Sequence, residues 1–129
     1  MIEFHLDAHS GIAPYQQIVG QVRQALLLGL LAEGDKLPTI KEVVAAVAIN
    51  PNTVSKAYRE LEHQGLAAAK PGVGTFITRS LGHASLADHG PLQDELRGWL
   101  AKARAAGLTE PGIEALIATT LREPPEEER

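Results

Sequence analysis

One short polar segment carries the side chains of this sequence that are best suited to chemistry with another molecule. It holds two asparagines, a threonine, a lysine and an arginine: Asn50, Asn52, Thr53, Lys56 and Arg59. An asparagine carboxamide can form paired hydrogen bonds with adenine, and a threonine can offer its hydroxyl or its methyl group to a base edge. Cationic side chains suit phosphate oxygens. The alternative is that the segment only begins a helix, since Asn is a favourable N-cap and Pro51 suits the first helical position.

The other residue types argue against catalysis and against a metal site. The chain has no cysteine, and its five histidines are scattered: His5, His9, His63, His83 and His89. We interpret His83, Asp88 and His89 as polar surface residues of a linker, because a metal site needs converging ligands. The segment 72–74 (GVG) makes a better hairpin turn than a phosphate-binding loop, and no nucleophile elbow is present. We therefore predict no enzymatic activity, cofactor or metal.

Three predicted helices position the polar segment. An apolar stripe predicts the first over residues 14–31, and it is formed by Ile18, Val22, Leu26 and Leu30. Thr39 and Glu42 have the spacing of a capping box, so we expect a short second helix over 40–47. After a turn at Ala48-Ile49, the polar segment begins the third helix, predicted over 51–64 and ended by Gly65.

Strand signals lie on either side of these helices. Ile2, Phe4 and Leu6 alternate with polar residues, which predicts a short, half-buried strand at the start of the chain. A hairpin is predicted over 66–79, because the turn cluster at 71–74 separates two short runs and the second run, TFI, has strong strand preference.

Three helices followed by a hairpin is the order of a winged helix-turn-helix domain, which we assign to residues 1–79. The fold class is then α+β and mostly α. In such domains the start of the third helix meets base edges in the major groove. The candidate DNA-binding residues are Thr39, Lys41, Asn50, Asn52, Thr53, Lys56, Arg59, Lys70 and Gly72.

The rest of the chain is predicted to be a linker at 80–90, a helical module at 91–122 and a disordered tail at 123–129. Each of the two helices in the module has one apolar stripe, so we expect the module to mediate dimerisation rather than to fold back on the first domain. Two short helices bury little surface alone, and Trp99 is a good interface anchor. The predicted interface residues are Leu92, Leu96, Trp99, Leu100, Ile113, Leu116 and Ile117.

The charge of the chain is unevenly distributed. The net charge is −4, yet residues 1–79 hold seven basic and seven acidic residues, so the net negative charge comes wholly from the residues after 79. An acidic total therefore does not exclude a local basic face. No run of 18 apolar residues is present and the N-terminus lacks a basic stretch, so we predict a cytoplasmic protein.

Several segments together resemble the GntR family of bacterial transcription regulators. They are PYQQI at 14–18, GDKLPT at 34–39, NPNTVSKAYRELE at 50–62, and GL at 65–66 with GVGTFI at 72–77. The third segment and the short C-terminal part resemble the YtrA subfamily. The resemblance implies a homodimeric repressor of its own operon, often beside ABC-transporter genes, with DNA contacts at Lys41, Asn50, Asn52, Thr53 and Gly72. This sequence differs from many GntR proteins, which have arginine where it has Lys41, Pro51 and Ser55.

These observations lead to one hypothesis and one alternative. The hypothesis is a sequence-specific DNA-binding regulator that is nucleoid-associated when bound and recognises an inverted-repeat operator as a dimer, with major-groove contacts about 34 Å apart or a multiple of this. A small-molecule effector stays unknown, because the module is too short to enclose an ordinary ligand pocket alone. The alternative is a winged-helix module that binds a partner protein without sequence-specific DNA binding.

Overall fold

The computed structural model describes residues 2–82 and 89–125, which form two compact units divided between residues 88 and 89. The first unit contains α1 (Pro14–Leu27), α2 (Ile40–Val47), α3 (Pro51–His63), β1 (Ala67–Lys70) and β2 (Gly74–Ile77). The second contains α4 (Gly90–Ala105) and α5 (Glu110–Arg122). The division falls inside the predicted 80–90 linker. His83 and Asp88 of the linker prediction, and residues 126–129 of the predicted disordered tail, lie outside the described residues.

The first unit is a three-helix core with an antiparallel hairpin, the winged helix-turn-helix arrangement that the sequence predicts. α3 packs against both α1 and α2, so its apolar face lies at the centre. The largest fully buried side chains come from α1, α3, β2 and the segments that precede α2 and β1: Ile18, Val22, Leu26, Leu37, Val54, Leu61, Leu66 and Ile77.

The predicted first helix is too long at its C-terminal end, because α1 stops at Leu27 rather than at residue 31. Gly29 takes a positive φ of 75°, and the Leu30 N–H bonds back to the Ala25 carbonyl at 2.8 Å. This pattern ends a helix by satisfying its last carbonyls. Leu30 therefore does not continue the apolar stripe and is 56% exposed. The surrounding leucines made the glycine's terminating role hard to see in the sequence.

The predicted N-terminal strand is also wrong, although its alternation is correct. Residues 2–7 form no strand, yet Phe4 is buried while its neighbours Glu3 and His5 are exposed. Two glutamines of α1 replace the missing strand partner. The Gln21 amide binds both the N–H (2.9 Å) and the carbonyl (2.6 Å) of His5, and the Gln17 amide binds both backbone groups of Asp7 (2.8 and 2.9 Å).

This side-chain clamp gives a testable expectation. Gln21→Ala should lower the free energy of unfolding by roughly 1–2 kcal/mol, because two hydrogen bonds to the backbone of His5 are lost. Amide hydrogen exchange at His5 should accelerate more than at residues of α3. Gln24→Ala is the matched control, since Gln24 is exposed on the same helix and donates no side-chain hydrogen bond in the described structure. Equal exchange rates at His5 in both variants would contradict the clamp.

Candidate nucleic-acid interface

The start of α3 is built by its own sequence. The Asn50 carboxamide oxygen accepts from the Asn52 N–H at 2.8 Å, and Pro51 occupies the first helical position, where its missing N–H costs no helical bond. The helix thus begins abruptly, after a turn in which Ala48 takes a left-handed conformation with φ 52°. The capping role predicted for Asn50 is confirmed.

One exposed face of α3 collects the polar side chains. Asn52, Lys56 and Arg59 are exposed and recur at the i, i+4 and i+7 spacing that aligns side chains along one side of a helix. Thr53 differs from the other predicted base-reading residue, because it is half-buried at the edge of this face. The opposite face, with Val54, lies in the core.

The start of α2 lies in the same unit and is capped reciprocally. The Thr39 hydroxyl accepts from the Glu42 N–H at 3.1 Å, while the Glu42 carboxylate accepts from the Thr39 N–H at 2.9 Å. The predicted capping box is therefore confirmed. The Thr39 hydroxyl oxygen accepts this capping bond and keeps a second lone pair, so a contact with DNA would be additional to the cap. Lys41, one position before Glu42, is exposed.

The capping box predicts a pH dependence. The hydrogen bond from the Thr39 backbone, then that from its side chain, and more weakly the charge of Lys36, hold the pKa of Glu42 below its usual value. Since the folded pKa is the lower one, the stabilisation is present above the ordinary glutamate pKa of about 4.3 and is lost as the pH falls through the folded value. Urea unfolding midpoints measured from neutral to acidic pH should therefore fall less steeply in Glu42→Gln. Glu62→Gln, an exposed residue without a side-chain hydrogen bond, should retain the wild-type slope.

Tyr58 fastens α3 to the segment that leads into α2. Its hydroxyl donates to the Pro38 carbonyl at 2.6 Å, and this hydrogen bond is buried. Burial, together with the charge of Glu42, raises the pKa of Tyr58 well above its ordinary value, so the hydroxyl stays protonated as a donor. This bond helps to fix the starts of the two helices relative to each other.

The wing contains a third extended segment that sequence reasoning missed. Beside the pairing of β1 with β2, Lys36 forms a bridge to Phe76, and the Leu37 N–H donates to the Thr75 carbonyl at 2.9 Å. The stem of Lys36 crosses Gly74 so closely that a Cβ there would sit 2.6 Å from Lys36 Cε. Lys36 is thus a basic residue of the wing, although it precedes α2 in the chain.

The wing tip has the predicted turn and one predicted cation. Gly72 is exposed with a φ of 75°, a conformation that disfavours residues with a Cβ. Lys70 is exposed, and its ammonium lies 4.7 Å from the centroid of the Phe76 ring. The predicted candidates Lys70 and Gly72 therefore lie at neighbouring positions of the same exposed turn.

The structure also brings Tyr15 to the edge of the polar face. The ammonium of Lys56 lies 4.0 Å from the centroid of the Tyr15 ring. Tyr15 is not among the predicted contacts, although it belongs to the PYQQI segment at 14–18 that resembles the GntR family and lies in the first turn of α1. No local pattern places Lys36 in the wing, because its position depends on the pairing between segments about 40 residues apart.

The basic residues of the first unit form no ion pair with an acidic side chain of the described residues. In the described part of the chain the ion pairs are Arg97–Asp94 and Arg104–Glu110, both in the second unit. Lys41, Lys56, Arg59 and Lys70 are all exposed, so their positive charge is available to an anionic partner. Among the described residues no cluster of His, Cys, Asp and Glu could hold a metal ion. None of the described helices is long and apolar enough to cross a membrane.

Comparison with known proteins identifies relatives of the domain that carries this face. The model of the family described as "Bacterial regulatory proteins, gntR family" matches residues 14–77. The HTH-type transcriptional repressor YtrA of Bacillus subtilis is 41% identical over 75 residues, 58% of this chain and 58% of that protein. The uncharacterized HTH-type transcriptional regulator YhcF of the same organism is 34% identical over 100 residues, which cover 74% of this chain and 78% of YhcF. The alignment with YtrA therefore covers less than two thirds of the length of that protein.

Solved structures extend the likeness beyond the first unit. YtrA from Sulfolobus acidocaldarius, a GntR-family transcription factor, has a TM-score of 0.54 and 25% identity, covering 92% of this chain and 96% of that one. AraR(DBD) in complex with operator ORE1 has a TM-score of 0.50 and 24% identity, covering 60% of this chain and 95% of that one, which shows a shared fold. These relatives are transcription regulators rather than enzymes, in agreement with the prediction.

Proposed function

Because this chain belongs to the GntR family of bacterial transcription regulators, we propose that it is a sequence-specific DNA-binding repressor of the YtrA type. The observation that carries this proposal is the exposed face of Asn52, Lys56 and Arg59, which extends from the start of α3 along the helix. It combines a side chain that can read adenine with two cations that suit phosphates. AraR shares the fold and is known in complex with its operator, which supports the same use of this domain.

The roles within the interface follow from exposure and chemistry. Asn52 and Thr53 would contact bases in the major groove, with Asn52 the more accessible of the two. Lys41, Lys56 and Arg59 would contact phosphates, and Thr39 and Asn50 would add polar contacts beside their capping bonds. Lys70 and Gly72 would place the wing tip against the neighbouring backbone. Binding should weaken steeply with salt, since each neutralised phosphate releases counterions.

The second unit supports a dimer. Its buried side chains among the described residues are Ala103 and Ile113, which is too small a core for an independent pair of helices. Apolar side chains instead line an open cleft of about 340 Å³: Leu96, Trp99, Leu116, Ile117 and Leu121, together with Thr120. Leu92, Leu96 and Leu116 are 64%, 48% and 43% exposed. A second copy of the module would cover this surface, along with the half-buried Leu100 of the predicted interface.

A dimer of this kind would bind an inverted-repeat operator in the cytoplasm, with its two recognition helices in successive major grooves. The likeness to the repressor YtrA supports repression. Control of an operon that includes its own gene and ABC-transporter genes is what the YtrA-subfamily resemblance implies. We name no effector, since the cleft in the second unit is open and a second copy of the module would cover it in the dimer.

A gel-shift experiment on the DNA upstream of the chain's own coding sequence tests the proposal. Retardation that is competed by the unlabelled fragment, and not by bulk DNA, is the expected result. The alternative function, a winged-helix domain that binds a partner protein, predicts equal competition by both DNAs or no retardation. A salt titration of the shifted complex should give a steep linear fall of log affinity with log salt.

A further inference from the structure

The pairing of Lys56 with Tyr15 is a built contact in the first unit. Tyr15 lies in the first turn of α1, half-buried against the core, whereas Lys56 is exposed on α3. The ammonium stands 4.0 Å from the ring centroid, within the range of a cation–π contact. Because the ring is fixed by the core and has few rotatable bonds, it restricts the long, flexible lysine side chain.

An aromatic ring can hold a lysine ammonium in place without neutralising its charge, which a carboxylate cannot do. An ion pair would neutralise the ammonium, and its attraction for a phosphate would fall. A ring face attracts the ammonium through its quadrupole but leaves the full positive charge in place, with N–H donors still directed to solvent. The ion pairs in the described part of the chain involve other residues, so Lys56 is held without being neutralised.

The position of the pair matters for DNA. Lys56 lies about one helical turn after Asn52 on the same exposed face, so the two side chains leave the helix at neighbouring positions. We propose that Tyr15 is a positioning residue of the DNA interface, whose ring holds the Lys56 ammonium in place to meet a backbone phosphate beside the base-reading Asn52. This rests on the proposed function, and it adds a residue of α1 to an interface otherwise built from α2, α3 and the wing.

The physical gain is preorganisation. A free lysine loses side-chain entropy when it binds a phosphate, and a lysine already restricted by a ring loses less. Removing the ring should therefore weaken DNA binding about two- to fivefold, the range that corresponds to an exposed cation–π contact. The loss should appear on every DNA sequence, because the contact is to the backbone.

A double-mutant cycle on the full chain tests this proposal. Tyr15→Leu, Tyr15→Phe, Lys56→Gln and the double variant Tyr15→Leu/Lys56→Gln are titrated, by fluorescence anisotropy, against the labelled upstream DNA and against an unrelated duplex. Tyr15→Leu should lower the affinity two- to fivefold for both DNAs, whereas Tyr15→Phe should bind like the wild type. In the Lys56→Gln background, Tyr15→Leu should lower the affinity no further. Lys102→Gln, an exposed lysine of α4, is the control for the change in net charge.

Two further readouts separate positioning from packing. The ring current of Tyr15 should shift the ε-methylene protons of Lys56 upfield in the NMR spectrum without DNA, and Tyr15→Leu should abolish this shift while Tyr15→Phe retains it. Thermal unfolding identifies any variant whose affinity loss comes from misfolding. An equal loss for Tyr15→Leu with and without Lys56, or equal binding by the Leu and Phe variants, overturns the proposal. Failure of the wild type to bind either DNA would instead refute the proposed function, and the positioning role with it.

Discussion

Asn52→Ala is expected to erase base preference at one position in each half of the operator. A bidentate asparagine–adenine contact contributes about 1–3 kcal/mol of discrimination, which corresponds to roughly 5- to 150-fold between the preferred base and the others. Asn52 is exposed, and in the described structure its side chain forms no hydrogen bond with the rest of the chain. Its removal should therefore change specificity while the melting temperature stays close to that of the wild type.

The measurement is a selection of bound sequences from a randomised operator library with each variant. The matched control is Lys41→Ala, an exposed residue expected to contact phosphate, which should lower affinity for all sequences and reduce the salt slope by about 1. If the alanine variant at position 52 selects the same operator as the wild type, Asn52 does not read a base. The half-buried Thr53 would then be the next candidate.

Leu96→Glu is expected to dissociate the dimer and to reduce operator affinity by about two to four orders of magnitude. Leu96 lines the apolar cleft of the second unit and is 48% exposed, so a charge there would be buried only when two copies pair. Burying an unpaired carboxylate strongly opposes association. A monomer binds one half-site at a time and loses the effective concentration that links the two halves, which is the source of the large factor.

Sedimentation or light scattering at micromolar concentration measures the first part of this expectation, and operator titration measures the second. Leu30→Glu is the matched control, since Leu30 is an exposed leucine (56%) of the first unit. Wild-type chain that is monomeric at micromolar concentration, or a Leu96→Glu dimer, would contradict the assignment of the module. If Leu30→Glu dissociates the dimer and Leu96→Glu does not, the interface lies in the first unit.

Short-range sequence patterns predicted the helix starts of the interface correctly. The Thr39–Glu42 capping box and the Asn50-Pro51 start depend on residues at most three positions apart, so their geometry is contained in the local sequence. The hairpin around the 71–74 turn is equally local. The same reasoning failed at Gly29, where a glycine within a run of leucines ended α1 four residues early.

The starts of α2 and α3, the polar face of α3 and the turn of the wing are predictable from the chain alone, because they depend on neighbouring residues and on helical period. Three other features depend on the folded core: Gln17 and Gln21 replace a strand partner for residues 5–7, Lys36 joins the wing, and Tyr15 lies under Lys56. Each of these contacts joins residues 10 or more positions apart in the chain. Such contacts form only after packing of the core has brought distant segments together, and no local pattern encodes that distance.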